Sequence, residues 1–295
     1  MTEWQFGLQQ GISGLAIGSM YALVALGHVL IWNAMGILNF AHGEMVMLGA
    51  FLGLTFHVIL RLPFWLSFLL VALTGGIIGG LVRRSVYYYM FRKRASGENF
   101  LIASIGASVF FINIAILIWG SMGFGFPDAF GRKPLKVAGM NILPRNLWIL
   151  AIGIVIVIVL NWFLRRTRLG TAMRAVAQDK PTASLMGINV DALDTLTFAL
   201  ASALGAIVGI LLAPAFLVTT GMGQSVGLKA FTAAIIGSFE SLPGAIIGGL
   251  SVGVIENLAS AYISSAYKDA VAFVILLIVL IVRPRGLLGK GRTSR

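Results

Sequence analysis

In this chain of 295 residues 58% are hydrophobic and only 11% charged, and the mean hydropathy is +0.95, a balance suited to lipid and not to water. The formal net charge of +12 would suggest nucleic acid in a soluble protein. Here the basic residues fall in short connections between apolar runs, where they set membrane orientation, so nucleic acid is set aside as a partner and the lipid membrane takes its place. The chain has no cysteine, which removes disulfides, thiolate metal sites and a cysteine nucleophile.

The first apolar run, 6–32, follows a single charge, Glu3, and lacks the basic flank and cleavage site of a secretory signal, so it reads as a retained first span. Runs at 34–60, 64–82, 100–119, 147–164 and 193–218 are each long enough to cross a bilayer. The last third is less regular. Residues 228–239 and 271–282 are short and 243–261 is nearly of span length, and such pieces can be half-helices or re-entrant segments. The fold class is therefore an all-α integral membrane protein: a polytopic helical bundle of about eight or nine spans at ~20 residues each, forming one membrane domain over 1–295.

Three basic clusters belong on the cytoplasmic side: Arg83, Arg84, Arg92, Lys93 and Arg94; Arg165, Arg166, Arg168, Arg174 and Lys180; and Arg283, Arg285, Lys290, Arg292 and Arg295. Three crossings before Arg83 place the N-terminus outside and, with the remaining spans, the C-terminus inside. The loop carrying Arg132, Lys133, Lys136 and Arg145, offset by Asp128, runs against this rule. Much of the glycine, 36 residues in all, recurs at four-residue spacing, as in Gly75 and Gly79, Gly205 and Gly209, and Gly244 and Gly248, which suits close helix packing. A weak echo between 43–54 and 244–257 raises the expectation of two related halves.

Within the second apolar run, Asn39, His42, Gly43 and Glu44 place an amide, an imidazole and a carboxylate where an ionisable group costs at least about 2.5–3.5 kcal/mol. Gly43 is expected to break the helix and Asn39 to satisfy the backbone groups a break releases. Two readings stand: these side chains line a transport path, or they are polar ties inside a dry bundle.

On the cytoplasmic side, residues 174–189 form a polar connection in which Asp179 caps a helix with Pro181 in its first turn and Gly187 at its end. Leu185 and Met186 then form an apolar contact surface flanked by Arg174 and Lys180. The alternative is a solvated connection that only enforces topology. Gly223-Gln224-Ser225-Val226-Gly227 matches the hydrolase string G-x-S-x-G, but no strand precedes it and no histidine follows, so a glycine-rich loop is expected. Glu256 and Asn257 are expected to end an apolar helix, facing a path or a partner. The sequence has no H-E-x-x-H and no Walker phosphate loop, so any ATP hydrolysis belongs to another polypeptide.

LNFAHGEMVMLGAF, RAVAQDKPTASLMGI, GLKAFTAAIIGS and the closing AYKDAVAFVILLIVLIVRPRGLLG resemble the permease subunits of bacterial branched-chain amino acid ABC importers, the H-type more than the M-type. The resemblance covers nearly the whole chain. It implies an inner-membrane permease without enzymatic chemistry of its own, paired with a homologous second permease, two cytoplasmic ATPases that carry ATP and Mg, and a periplasmic binding protein. It also implies a cytoplasmic coupling loop at about 165–190, in which Ala183 and Gly187 match the A-xxx-G end of the segment that docks into an ATPase, preceded by Arg174, Ala175 and Asp179. The chain departs from the pattern after Ile236, where Ser238, Phe239 and Glu240 replace a glycine-rich turn, which puts close backbone packing or substrate choice there in question. Similar permeases handle urea, short amides or aromatic acids, and a carrier or channel independent of ATP is the competing class.

Overall fold

A computed structural model describes residues 3–131, 133–137, 140–264, 268–283 and 286–288. Arg132, Arg285, Lys290, Arg292 and Arg295 of the basic clusters lie outside the described residues. Among the described residues the regular structure is helical, apart from one short hairpin and an isolated bridge between Phe124 and Val218.

Helix α1 (Glu3–Met35) is followed by a helical turn at Phe40–His42, α2 (Glu44–Gly53) and a π-helical turn at Leu54–Ile59. Helix α3 (Phe64–Val82) runs through a second π-helical turn, Arg83–Tyr87, into α4 (Tyr88–Arg92). Then come α5 (Gly97–Trp119), the antiparallel strands β1 (Leu135–Val137) and β2 (Met140–Ile142), and α6 (Pro144–Arg166). Two short helices, α7 (Arg168–Gln178) and α8 (Lys180–Leu185), lead to α9 (Val190–Leu212). Helices α10 (Met222–Gly237), α11 (Leu242–Tyr262) and α12 (Lys268–Val282) complete the chain.

Among the described residues, seven helical segments are long and apolar enough to cross a membrane. Helices α10 and α12, at 16 and 15 residues, are the two short apolar pieces anticipated in the last third. The chain is thus an all-α, multi-pass membrane protein. One boundary differs. The apolar run 64–82 is part of a longer helical segment that continues to Arg92, and Arg83 within it is neutralised by two aspartates instead of being driven into water. The awkward basic loop finds part of its offset in an ion pair between Arg145 and Asp128 at 4.0 Å.

Two compact units emerge, and α1, α6 and α10 contribute to both. In the unit formed by 27–127 and 157–227, α2 and α3 pack along α9. Small residues make this possible: a Cβ on Gly49 would collide with the Ala206 carbonyl, and one on Gly209 with the Val46 carbonyl. Ile31, Met35, Tyr87, Phe100 and Phe198 fill a buried apolar cluster beside them. In the unit formed by 1–26, 128–156 and 228–295, α1 packs on α11 through Gly18 and Gly253, and α10 meets α11 at Gly237 and Gly244. That last contact bears on the packing half of the question raised by Ser238, Phe239 and Glu240. Close backbone packing is kept by the neighbouring glycines, while Ser238 takes φ +97°, a conformation L side chains seldom adopt. Leu287 N–H donates to the Ile236 carbonyl at 2.7 Å, so residues 286–288 close the end of α10.

Candidate functional site

The break in the second apolar run lies earlier than expected. Gly36 turns the chain at φ +67°, residues 36–39 are non-helical, and Gly43 itself is in the right-handed helical region. Gly43 is small for another reason: a Cβ there would collide with the main chain of Gly223 and Gly227. Asn39 does what its position demands. Its Oδ1 accepts from the Ala41 amide at 3.1 Å, capping the turn, and from the Tyr87 hydroxyl at 3.0 Å.

His42 and Glu44 are both buried. Glu44 Oε1 accepts from the Ser108 hydroxyl of α5 at 2.8 Å, while Oε2 has no hydrogen-bond partner among the described residues and faces Gly223, where a Cβ would strike it. The His42 ring meets His28 of α1 edge-on, centroids 4.6 Å apart, and fills the space that a side chain on Gly27 would need. The four signature residues are therefore brought together, each seated against a neighbouring helix. The G-x-S-x-G string is helical, not a loop: it forms the first turns of α10, with its two glycines pressed on Gly43 and Glu44. The string specifies helix contact because both glycines fall on one face at i and i+4.

Glu256 and Asn257 do not end their helix, since α11 runs on to Tyr262 through small and apolar residues that leave it no reason to stop. Asn257 donates back to the Gly253 carbonyl of its own helix at 3.4 Å. Glu256 has a partner that sequence reading missed: Lys229 Nζ lies 2.6 Å from Oε1, with both side chains buried and the ammonium 5.8 Å from the Tyr21 ring centre. The available signal was a lysine in an apolar 16-residue helix, and nothing in the sequence indicated which carboxylate it would meet.

The polar connection at 165–190 holds two helices where one was expected. Helix α7, capped by Thr167, precedes the predicted one, with Arg174 exposed and Ala175 half-buried on it. Helix α8 has the predicted punctuation: Asp179 accepts from the Thr182 amide, Pro181 sits in the first turn, and Gly187 follows at φ +81°. The Thr182 hydroxyl, and then its amide, hold the Asp179 carboxyl below its ordinary range. Ala183 points inward, whereas Leu185 and Met186 are 88% and 79% exposed. Two large apolar side chains at the tip of a capped helix between spans have no packing role inside this chain.

Residues 11–280 match the family described as the branched-chain amino acid transport system permease component. The chain belongs to this family. It is 36% identical over 308 residues to the high-affinity branched-chain amino acid transport system permease protein LivH of Salmonella typhimurium, covering 99% of each. Identity is 35% over 312 residues to the corresponding permease protein BraD of Pseudomonas aeruginosa, at full coverage of both chains. A more distant relative, the probable branched-chain amino acid transport permease protein LivH of Methanocaldococcus jannaschii, is 25% identical over 92% of this chain and 89% of its own. All three relatives are named as transport permease proteins.

Proposed function

We propose that this permease is the H-type subunit of an ATP-binding cassette importer and forms the translocation path for branched-chain amino acids with a homologous second permease. Two cytoplasmic ATPase subunits carry ATP and Mg, and a periplasmic binding protein delivers the solute. The chain lies in the inner membrane with its N-terminus periplasmic and its C-terminus cytoplasmic. The observation that carries this reading is full-length similarity to branched-chain amino acid permeases. The exposed Leu185 and Met186 at the tip of α8 support the partner assignment, because a force from an ATPase needs a rigid apolar handle outside the bundle. ATP drives the cycle only if the partners bind it with different affinity in the inward-open and outward-open states.

In proteoliposomes holding all the subunits, radiolabelled leucine accumulates only with ATP inside and binding protein outside. Uptake that persists when the ATPases are left out overturns the importer reading in favour of a carrier or channel. Accumulation of urea, a short amide or an aromatic acid in place of leucine overturns the substrate class alone.

A further inference from the structure

Helix α8 is fastened to the spans by more than its backbone. Its first residue, Lys180, donates from Nζ to Asp194 Oδ2 at 2.8 Å, one turn into α9. The same oxygen receives Arg83 Nη2 at 3.4 Å, from the end of α3. Arg83 Nη2 also donates to Asp191 Oδ1 at 2.9 Å. Both cations lie over one ring, that of Phe91, at 6.0 Å for Arg83 and 5.4 Å for Lys180. Two cations face two carboxylates, so the group is neutral, which permits the Arg83 side chain to be 2% and that of Asp194 4% exposed.

Arg83 opens the π-helical turn Arg83–Tyr87, and Tyr87 closes it. The Tyr87 hydroxyl holds Asn39, the residue that caps the broken start of α2. Helical turns of this widened kind are rare and are found frequently at functional sites.

The geometry points to Asp194 as the positioning residue that carries a displacement of α8 into the membrane: it clasps Lys180 of the docking helix and Arg83 of α3, and through the Arg83–Tyr87 turn reaches the Asn39 cap. This rests on the docking role of α8 proposed above. The physical reason is the cost of stranding a charge. If α8 moved away from α9, Asp194 would lose its closest partner in a buried setting, so α9 follows α8. Helix α3 follows in turn, through the shared Asp194 oxygen and the close contact of Gly75 and Gly79 with Ala206 and Ser202.

The test uses the complete transporter in proteoliposomes, measuring leucine accumulated per ATP hydrolysed. Asp194→Asn and Lys180→Met are each expected to leave ATP hydrolysis roughly unchanged and to lower leucine per ATP at least about fivefold. The double variant is expected to be no worse than either single one, and Asp194→Glu to restore part of the ratio, which a purely structural loss would not do. Lys180 is one-third exposed, so Lys180→Met decides the matter if Asp194→Asn fails to assemble. A ratio unchanged in Lys180→Met, or losses that multiply in the double variant, overturns the clasp. A separate readout isolates the docking reading: Ser184→Cys in the otherwise unaltered permease crosslinks to an ATPase subunit. Without that crosslink the docking reading falls and the clasp with it, whereas a crosslink accompanied by an unchanged ratio removes the clasp alone.

Discussion

Lys229 and Glu256 show how much a single buried charge depends on its partner. Their ion pair, 2.6 Å long, sits between apolar helices with neither side chain reaching solvent. Removing one member leaves the other ionised in a medium that cannot solvate it, whereas replacing both with apolar residues removes the desolvation problem altogether. Lys229→Met alone is therefore expected to destabilise the permease by about 3–5 kcal/mol, and Lys229→Met with Glu256→Leu to recover most of that loss. Thermal unfolding of the purified permease in detergent measures both, and a double variant as unstable as the single one would show that the pair does more than neutralise itself. Asn39 belongs to the same scale. As anticipated, its amide caps the turn after the break, but its second partner, Tyr87, is 48 residues away and no local pattern announces it.

Among elements, the contact of α2 and α9 is a direct consequence of composition. Lipid offers apolar side chains as good a surround as another helix does, so helices associate where small residues let backbones meet. Gly49 and Gly209 lie at that contact, each with no room for a Cβ. Gly49→Val is expected to cost at least about 1–3 kcal/mol, because one helix must shift to admit the side chain. Gly106 of α5 is the control, with nothing within 4 Å of its would-be Cβ, so Gly106→Ala should be neutral or stabilising by up to about 1 kcal/mol. Unfolding midpoints in detergent compare the two. Equal effects would mean that glycine acts through helix propensity and not through fit.

For the whole molecule, the decisive property is which faces meet lipid or a partner chain. Leu69, Leu73, Ile77 and Leu81 run at four-residue spacing along the exposed side of α3. Since the surround there is apolar, Leu73→Arg is expected to cost about 2.5–3.5 kcal/mol of insertion free energy and to lower the amount of full-length permease recovered from membranes. Recovery equal to that of the unaltered chain would mean that this face borders water. By contrast α9 is largely buried, as the helix against which α2 and α3 both pack should be.

The approximate positions of the long apolar runs were legible in hydropathy, because a bilayer demands runs of ~20 apolar residues whatever the fold inside. The cap of α8 by Asp179, its Pro181 start and its Gly187 end were equally legible, since capping is chemistry between residues a few positions apart. The true site of the helix break, the helical state of 223–227 and the partners of Arg83, Lys180, Lys229 and Glu256 were settled only by tertiary structure. Each depends on residues far apart in the chain, and in an apolar surround a charge carries no mark of which distant partner will neutralise it.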